Sequence, residues 1–408
     1  MTFIVGVVLF ALGITISIAL HEFGHLLTAK AFGMKARRYF IGFGTRVWSF
    51  HRGETEYGLK AVPLGGFVDI AGMTALDEVK PDEKHRAFYN KPVWQRVVVL
   101  AAGSVTHFIL GIVVVFLMTQ TTGLPDRSDD PPPAVGSLAQ CIGDQDPVTG
   151  QVPECKPGSP TSPAAMAGLH RYDRVLAVGG VPTPRWDDVL TQIRDSSGPT
   201  EFAFERDGER RTVIIDVQPM QRLPIGTQPG PGATTETVGV IGMGRGVAPL
   251  RYDLAGAVPA TFAYTGALFA DTWEGLKRFP EKVPALFRAI AGEDDPDRPV
   301  SVVGASIIGG DAADQGLWIL FLYMLAAVNF FVGVFNLLPL LPLDGGHIAV
   351  NVYEKLRDWA RRLRGLPAGG PVDYTKLLPL TYAAVLVGGG IMLLTVTADI
   401  VNPLRLTP

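Results

Sequence analysis

The sequence predicts a polytopic α-helical membrane protein with four transmembrane helices, a membrane-associated β-hairpin on the cytoplasmic side and an inserted extracytoplasmic α+β domain. The first observation behind this is four runs without Asp, Glu, Lys or Arg, at 1–21, 97–125, 317–343 and 377–398. At about 1.5 Å per helical residue each can cross a hydrocarbon core about 30 Å thick. The second is composition. Of 408 residues, 47% are hydrophobic and 18% charged, with mean hydropathy +0.24, too apolar for an ordinary soluble protein and too polar for one wholly in lipid. The third is a long polar stretch between the second and third runs, with alternating strands and turn signals. The formal charge of -3 and pI near 6.2 provide no global basic field, so nothing points to nucleic acid and none is expected as a partner.

The first transmembrane helix, 1–27, ends in Ala19-Leu20-His21-Glu22-Phe23-Gly24-His25-Leu26-Leu27. Ionisable groups at the end of an apolar span are costly, and so mark a functional site. Residues four apart share one helix face, so His21 and His25 can offer two imidazole nitrogens to one metal ion. Glu22 projects beside them, placed to take a proton from water there without being a ligand. This is the HExxH pattern of zinc peptidases. The run lacks the basic n-region of a signal peptide, so the motif is expected in the mature chain.

Residues 28–92 form a loop carrying Lys30, Lys35, Arg37, Arg38, Arg46, Arg52 and Lys60, and the loop 344–376 carries Lys355, Arg357, Arg361, Arg362 and Arg364. Basic loops stay cytoplasmic, which places both termini and the long middle segment outside. Within the first loop, 57–70 reads as a hairpin of two short apolar strands around Pro63 and Gly65-Gly66. Its edge is a candidate to capture an extended peptide, with Gly65 and Gly66 as substrate contacts. In the second helix, 93–118, Ala101-Ala102-Gly103-Ser104 allows close helix approach. His107 reads as a histidine bonded to a neighbouring helix, with approach to the metal as the alternative.

A proline-rich linker, 119–134, leads to a folded domain, 135–220. There 162–169 is a short helix, 174–180 a strand and turn, 186–194 an amphipathic helix, and 200–206 with 211–217 a hairpin. Cys141 and Cys155 either form a disulfide or remain two thiols. Residues 221–316 read as a linker and amphipathic helices, on the outer membrane face or packed on the outer domain. The third helix, 317–343, ends in Asn336-Leu-Leu-Pro339-Leu-Leu-Pro342-Leu-Asp344-Gly345-Gly346. Two prolines must break it, and irregular backbone at membrane depth is tolerated where it lines a polar cavity. Asp344 is therefore the candidate third ligand, at the depth of the histidines because both spans run inward. A fourth helix, 377–401, completes the bundle.

The order of the outer domain, with SPAAMAGL and DRVLAVGG, resembles a PDZ domain of the permuted bacterial type. Together HEFGH, PLGGF, that domain and NLLPLLPLDGG resemble a site-2 protease, an intramembrane zinc metalloprotease of bacterial regulated proteolysis. The resemblance implies one zinc ion per chain on His21, His25 and Asp344, catalysis by Glu22, and substrate contact by Asn336. It also implies a bacterial inner-membrane location and substrates such as membrane-spanning anti-sigma factors, already cut outside by a site-1 protease. Ser104 and His107 stand where relatives usually carry Pro and Asn, and one PDZ domain is evident where some have two. The rival reading is a non-catalytic, PDZ-bearing membrane scaffold with a structural metal, which leaves Glu22 without a purpose.

Overall fold

A computed structural model describes residues 1–73, 77–293, 295, 297–370 and 372–406. In chain order the elements are α1 (Thr2–Ala31), β1 (Ala36–Arg52), β2 (Thr55–Ile70), α2 (Val93–Gln120), β3 (Pro133–Leu138), α3 (Pro163–Met166), β4 (Arg174–Val178), β5 (Val181–Pro182) and α4 (Trp186–Asp195). They continue with β6 (Gly198–Arg206), β7 (Glu209–Arg222), β8 (Glu236–Val240), β9 (Met243–Val247), α5 (Leu254–Ile290), α6 (Val302–Asp314), α7 (Trp318–Asn336), α8 (Asp344–Leu363) and α9 (Leu378–Val401). The chain divides into two compact units, 122–252 and the remainder. Among the described residues, 4 helices are long and apolar enough to cross a membrane: Thr2–Ala31, Val93–Gln120, Trp318–Asn336 and Tyr374–Val401. They coincide with the four charge-free runs.

In the helical unit, α1 packs against α2, α6 and α7. Phe10 of α1 meets Phe321 of α7 edge-on at 5.2 Å between ring centres, with Ala312 and Ala313 of α6 buried beside them. Residues 254–290 form one continuous helix in place of the expected outer helices. It packs on the bundle because Leu268 is buried, Phe269 stacks edge-on with Phe108 of α2, and Leu286 and Ala289 close on Ala398 of α9.

The expected hairpin at 57–70 is corrected. Residues 55–70 are one strand, and the turn lies between Arg52 and Thr55. Residues 38–41 of β1 face 56–59 on one side and 66–69 on the other, so both halves of β2 pair with β1. The sequence signal at Pro63 and Gly65-Gly66 marks a bend within β2 rather than the hairpin turn. Arg86, with Lys35, holds the Glu54 carboxyl at the turn down to about 2, tying the tip to the loop that leads into α2.

The unit 122–252 is a sheet in the order β8-β7-β6-β4-β3-β9, with β5 paired to β4. Its core gathers Val175, Val178, Phe202, Phe204, Ile215 and Val217 from the strands and Val189 and Ile193 from α4. The expected helices and hairpin all form. The boundary at 220 is corrected, since β8 pairs with β7 and β9 with β3, so the domain extends through 247. Those short strands are glycine-rich, which hid them in the sequence. Cys141 and Cys155 are joined as a disulfide.

Beyond α5, Arg298 and Asp399 form an ion pair that is 1% and 0% exposed at the side chains. Asp399 also accepts from the Ser301 amide, and Arg298 donates to the Asn402 carbonyl. This joins the end of α9 to the start of α6, the helix that supports α1. Asp399→Ala leaves a guanidinium buried without its counter-ion, and is expected to cost about 3–5 kcal/mol. Thermal unfolding in detergent measures it, and an unchanged midpoint would refute it.

Candidate active site

Each of the residues in the two span motifs is positioned by a simple local cause. On α1, His21 and His25 are one turn apart and both buried. Asp344 opens α8 immediately after the chain breaks at Leu337–Leu343, the interruption expected from Pro339 and Pro342. That break folds back tightly: a Cβ on Gly345 would lie 2.2 Å from the Leu337 carbonyl oxygen, and one on Gly346 2.6 Å from the Leu340 carbonyl carbon. Only glycine fits both positions, which explains the residues after Asp344 in physical terms.

The donor atoms converge. His21 Nε2 and His25 Nε2 are 3.1 Å apart, and Asp344 Oδ2 is 3.4 Å from each. These atoms lie within 4.8 Å of one another and form a group able to hold a metal ion. His25 Nδ1 donates to the Val99 carbonyl oxygen at 2.7 Å, which leaves the Nε2 lone pair facing the other donors. His21 Nδ1 is buried without a hydrogen-bond partner among the described residues. Two imidazoles and an ionised carboxylate with room between them fit zinc, which takes this N, N, O donor set in catalytic sites.

That room depends on α2. A Cβ on Gly103 would sit 2.5 Å from His25 Nε2 and 2.6 Å from His21 Nε2. Gly103→Ala is thus expected to push both rings off their positions and weaken zinc binding by about 100-fold or more, beyond the loss typical of an outer-shell change. Competition with a chelator measures it, and unchanged affinity would show that the rings do not depend on this contact.

Glu22 flanks the group, and the backbone of Gly66 runs against it, where a Cβ would be 3.1 Å from Glu22 Cγ. Tyr39 of β1 anchors this sheet to α1 by donating to the Ala19 carbonyl oxygen at 2.7 Å. Gly65 is instead packed against the Phe43 ring. Asn336 ends α7 half-buried, and its side chain makes no hydrogen bond among the described residues. His107 Nδ1 donates to Asn329 Oδ1 of α7 at 2.9 Å, and its ring centre is 5.0 Å from that of His21. It therefore joins the neighbouring helix and also lines the site. Sequence reading missed Val99 and Asn329, and read Gly103 as a site of close helix approach without placing it against the histidines; the amide of Asn329 within the third charge-free run was a usable signal.

Residues 9–368 match the pattern of peptidase family M50. The chain is 48% identical over its full length to the full length of "Zinc metalloprotease Rip1" of Mycobacterium bovis, and 46% identical, again over the whole of both chains, to the protein of that name in Mycolicibacterium smegmatis. It is 26% identical to "Zinc metalloprotease RasP" of Geobacillus kaustophilus over 87% of this chain and 88% of that one. With this similarity running through both the helical unit and the inserted domain, the chain belongs to peptidase family M50, the site-2 proteases.

Proposed function

We propose that this chain is an intramembrane zinc metalloprotease that hydrolyses a peptide bond in the transmembrane segment of a membrane protein, such as an anti-sigma factor already trimmed by an outer protease. The observation that carries this reading is the approach of His21 Nε2, His25 Nε2 and Asp344 Oδ2 to within 4.8 Å of one another, the histidines within one membrane-length helix and the aspartate just past the break that ends another. Zinc held there supplies Lewis-acid activation of water and of the scissile carbonyl.

The chain's own residues do the rest. The Glu22 carboxylate takes the proton from the attacking water and delivers it to the leaving nitrogen. A helical substrate hides its carbonyls in its own hydrogen bonds, so it must be unwound before attack. Residues 66–70 pair with β1 on one side only, and this edge beside Glu22 holds the substrate extended by strand addition. The Asn336 side-chain amide, without a partner among the described residues, clamps the substrate backbone. The basic loops 28–92 and 344–376 face the cytoplasm of a bacterial inner membrane, which puts both termini and the sheet domain outside. The sheet domain acts as a PDZ module, with α4 flanking the peptide groove.

The test uses the full chain in detergent with a single-span anti-sigma-factor substrate. The expected result is about one zinc per chain, cleavage inside the span, loss of cleavage with a chelator and recovery with zinc. A chain without metal, or cleavage indifferent to chelation, would overturn the reading in favour of a PDZ-bearing scaffold.

A further inference from the structure

The helix that begins at Asp344 has a second face that neither the site nor the bundle uses. One side of α8 is turned to protein: Asn351 is buried, and Glu354 pairs with Arg96 of α2 and accepts from the Val372 amide. The opposite side carries Val352, Leu356, Trp359 and Leu363, spaced by four, three and four residues, which is a single helical stripe. All four are exposed, at 40%, 59%, 62% and 70%. Lys355 and Arg362 flank the stripe on one edge and Arg364 on the other. Those three cations are exposed and have no hydrogen bond or ion pair from their side chains among the described residues. Of the acids of α8, Glu354 pairs with Arg96 and Asp358 is bound by Arg357 and the Gly369 amide, with Arg362 one turn on attracting it more weakly and forming no ion pair among the described residues.

We propose that α8 lies in the plane of the membrane, its apolar stripe sunk into the cytoplasmic leaflet and Lys355, Arg362 and Arg364 on anionic phospholipid headgroups. An apolar stripe edged by unpaired cations is complementary to such a surface, where long basic side chains reach up to the phosphates. The position agrees, because α8 connects two membrane-length helices. A cleft of about 630 Å³ adjoins it, with Leu341, Tyr353, Leu377 and Leu380 as apolar walls that suit an acyl chain, and Arg357, Lys376 and Asp373 as its charged lining. Since Asp344 is the first residue of α8, the leaflet would help to hold the site's carboxylate. The inference rests on the membrane placement and orientation proposed above, but not on metal or proteolysis.

The test uses the full chain, one copy per nanodisc, in phosphatidylcholine with or without phosphatidylglycerol. A nitroxide is attached to Trp359→Cys, and to Ala368→Cys in the following loop as a reference; the native cysteines are joined and do not react. The label at 359 is expected to collide with oxygen in preference to a water-soluble nickel complex, and the label at 368 to do the reverse. Phosphatidylglycerol should deepen the label at 359. Replacing Lys355, Arg362 and Arg364 with Gln should remove that response and lower phosphatidylglycerol enrichment around the chain by about tenfold. A label at 359 as open to nickel as that at 368 would overturn the proposal. So would shielding from both reagents, which means cover by protein, or a lipid response that survives loss of the three cations. The readout needs neither zinc nor substrate, so failure of the protease reading leaves it intact.

Discussion

Glu22→Gln is expected to abolish cleavage while leaving zinc content unchanged. The substitution keeps the shape of the side chain between His21 and Gly66, so the rings and the carboxylate that form the donor group are undisturbed. What it removes is the ability to accept a proton and pass it on. A general base at this step contributes about 10²–10⁴-fold, and the loss of rate should fall in or beyond that range. Metal analysis and single-turnover cleavage of the same preparation separate the two effects. Cleavage at the native rate would show that Glu22 is not the base, and loss of zinc would make it part of the metal shell.

Asp344→Ala should lose both metal and cleavage. The oxygen it removes lies 3.4 Å from each imidazole nitrogen. Two neutral imidazoles alone make a poor site, and the fall in zinc affinity should exceed the roughly 10–100-fold typical of outer-shell partners. The fold should survive, because the turn after α7 is set by the prolines and by the close approach of Gly345 and Gly346 rather than by the carboxylate. Retained zinc with lost cleavage would assign Asp344 a role other than ligand. Comparing this variant with Gly103→Ala, which keeps all three donor side chains but displaces the two rings, distinguishes a missing ligand from a displaced one.

Much of this molecule was legible because lipid and metal chemistry both impose simple patterns. Charge-free runs of span length mark the membrane helices, since few other structures tolerate them. HExxH on one helix and a proline-broken Asp-Gly-Gly on another each announce a costly polar site. The misreadings have physical causes as well. Residues 55–70 bend at the Pro-Gly-Gly signal, but β1 offers partners to both halves, so pairing with β1 won over a local hairpin. The strands β8 and β9 are five residues long and interrupted by glycine; β8 returns to β7 only after a long proline- and glycine-rich connection, and β9 pairs with the distant β3, so no local pattern revealed them. Residues 254–290 carry prolines at 259, 280 and 284 yet remain one helix, because packing on the bundle overrides local preference.

The sequence by itself determined the class of the protein, its membrane helices, and the three side chains that come together, because spacing on a helix and broken helices in lipid are properties of local chain geometry. Only the tertiary structure decided how far apart those groups are, that the Val99 carbonyl orients His25, that Gly103 leaves the space between the rings, and which edge of β2 meets Glu22. Those facts depend on helices and strands distant in sequence packing at one depth, and close approach between such elements leaves no periodic trace in the chain.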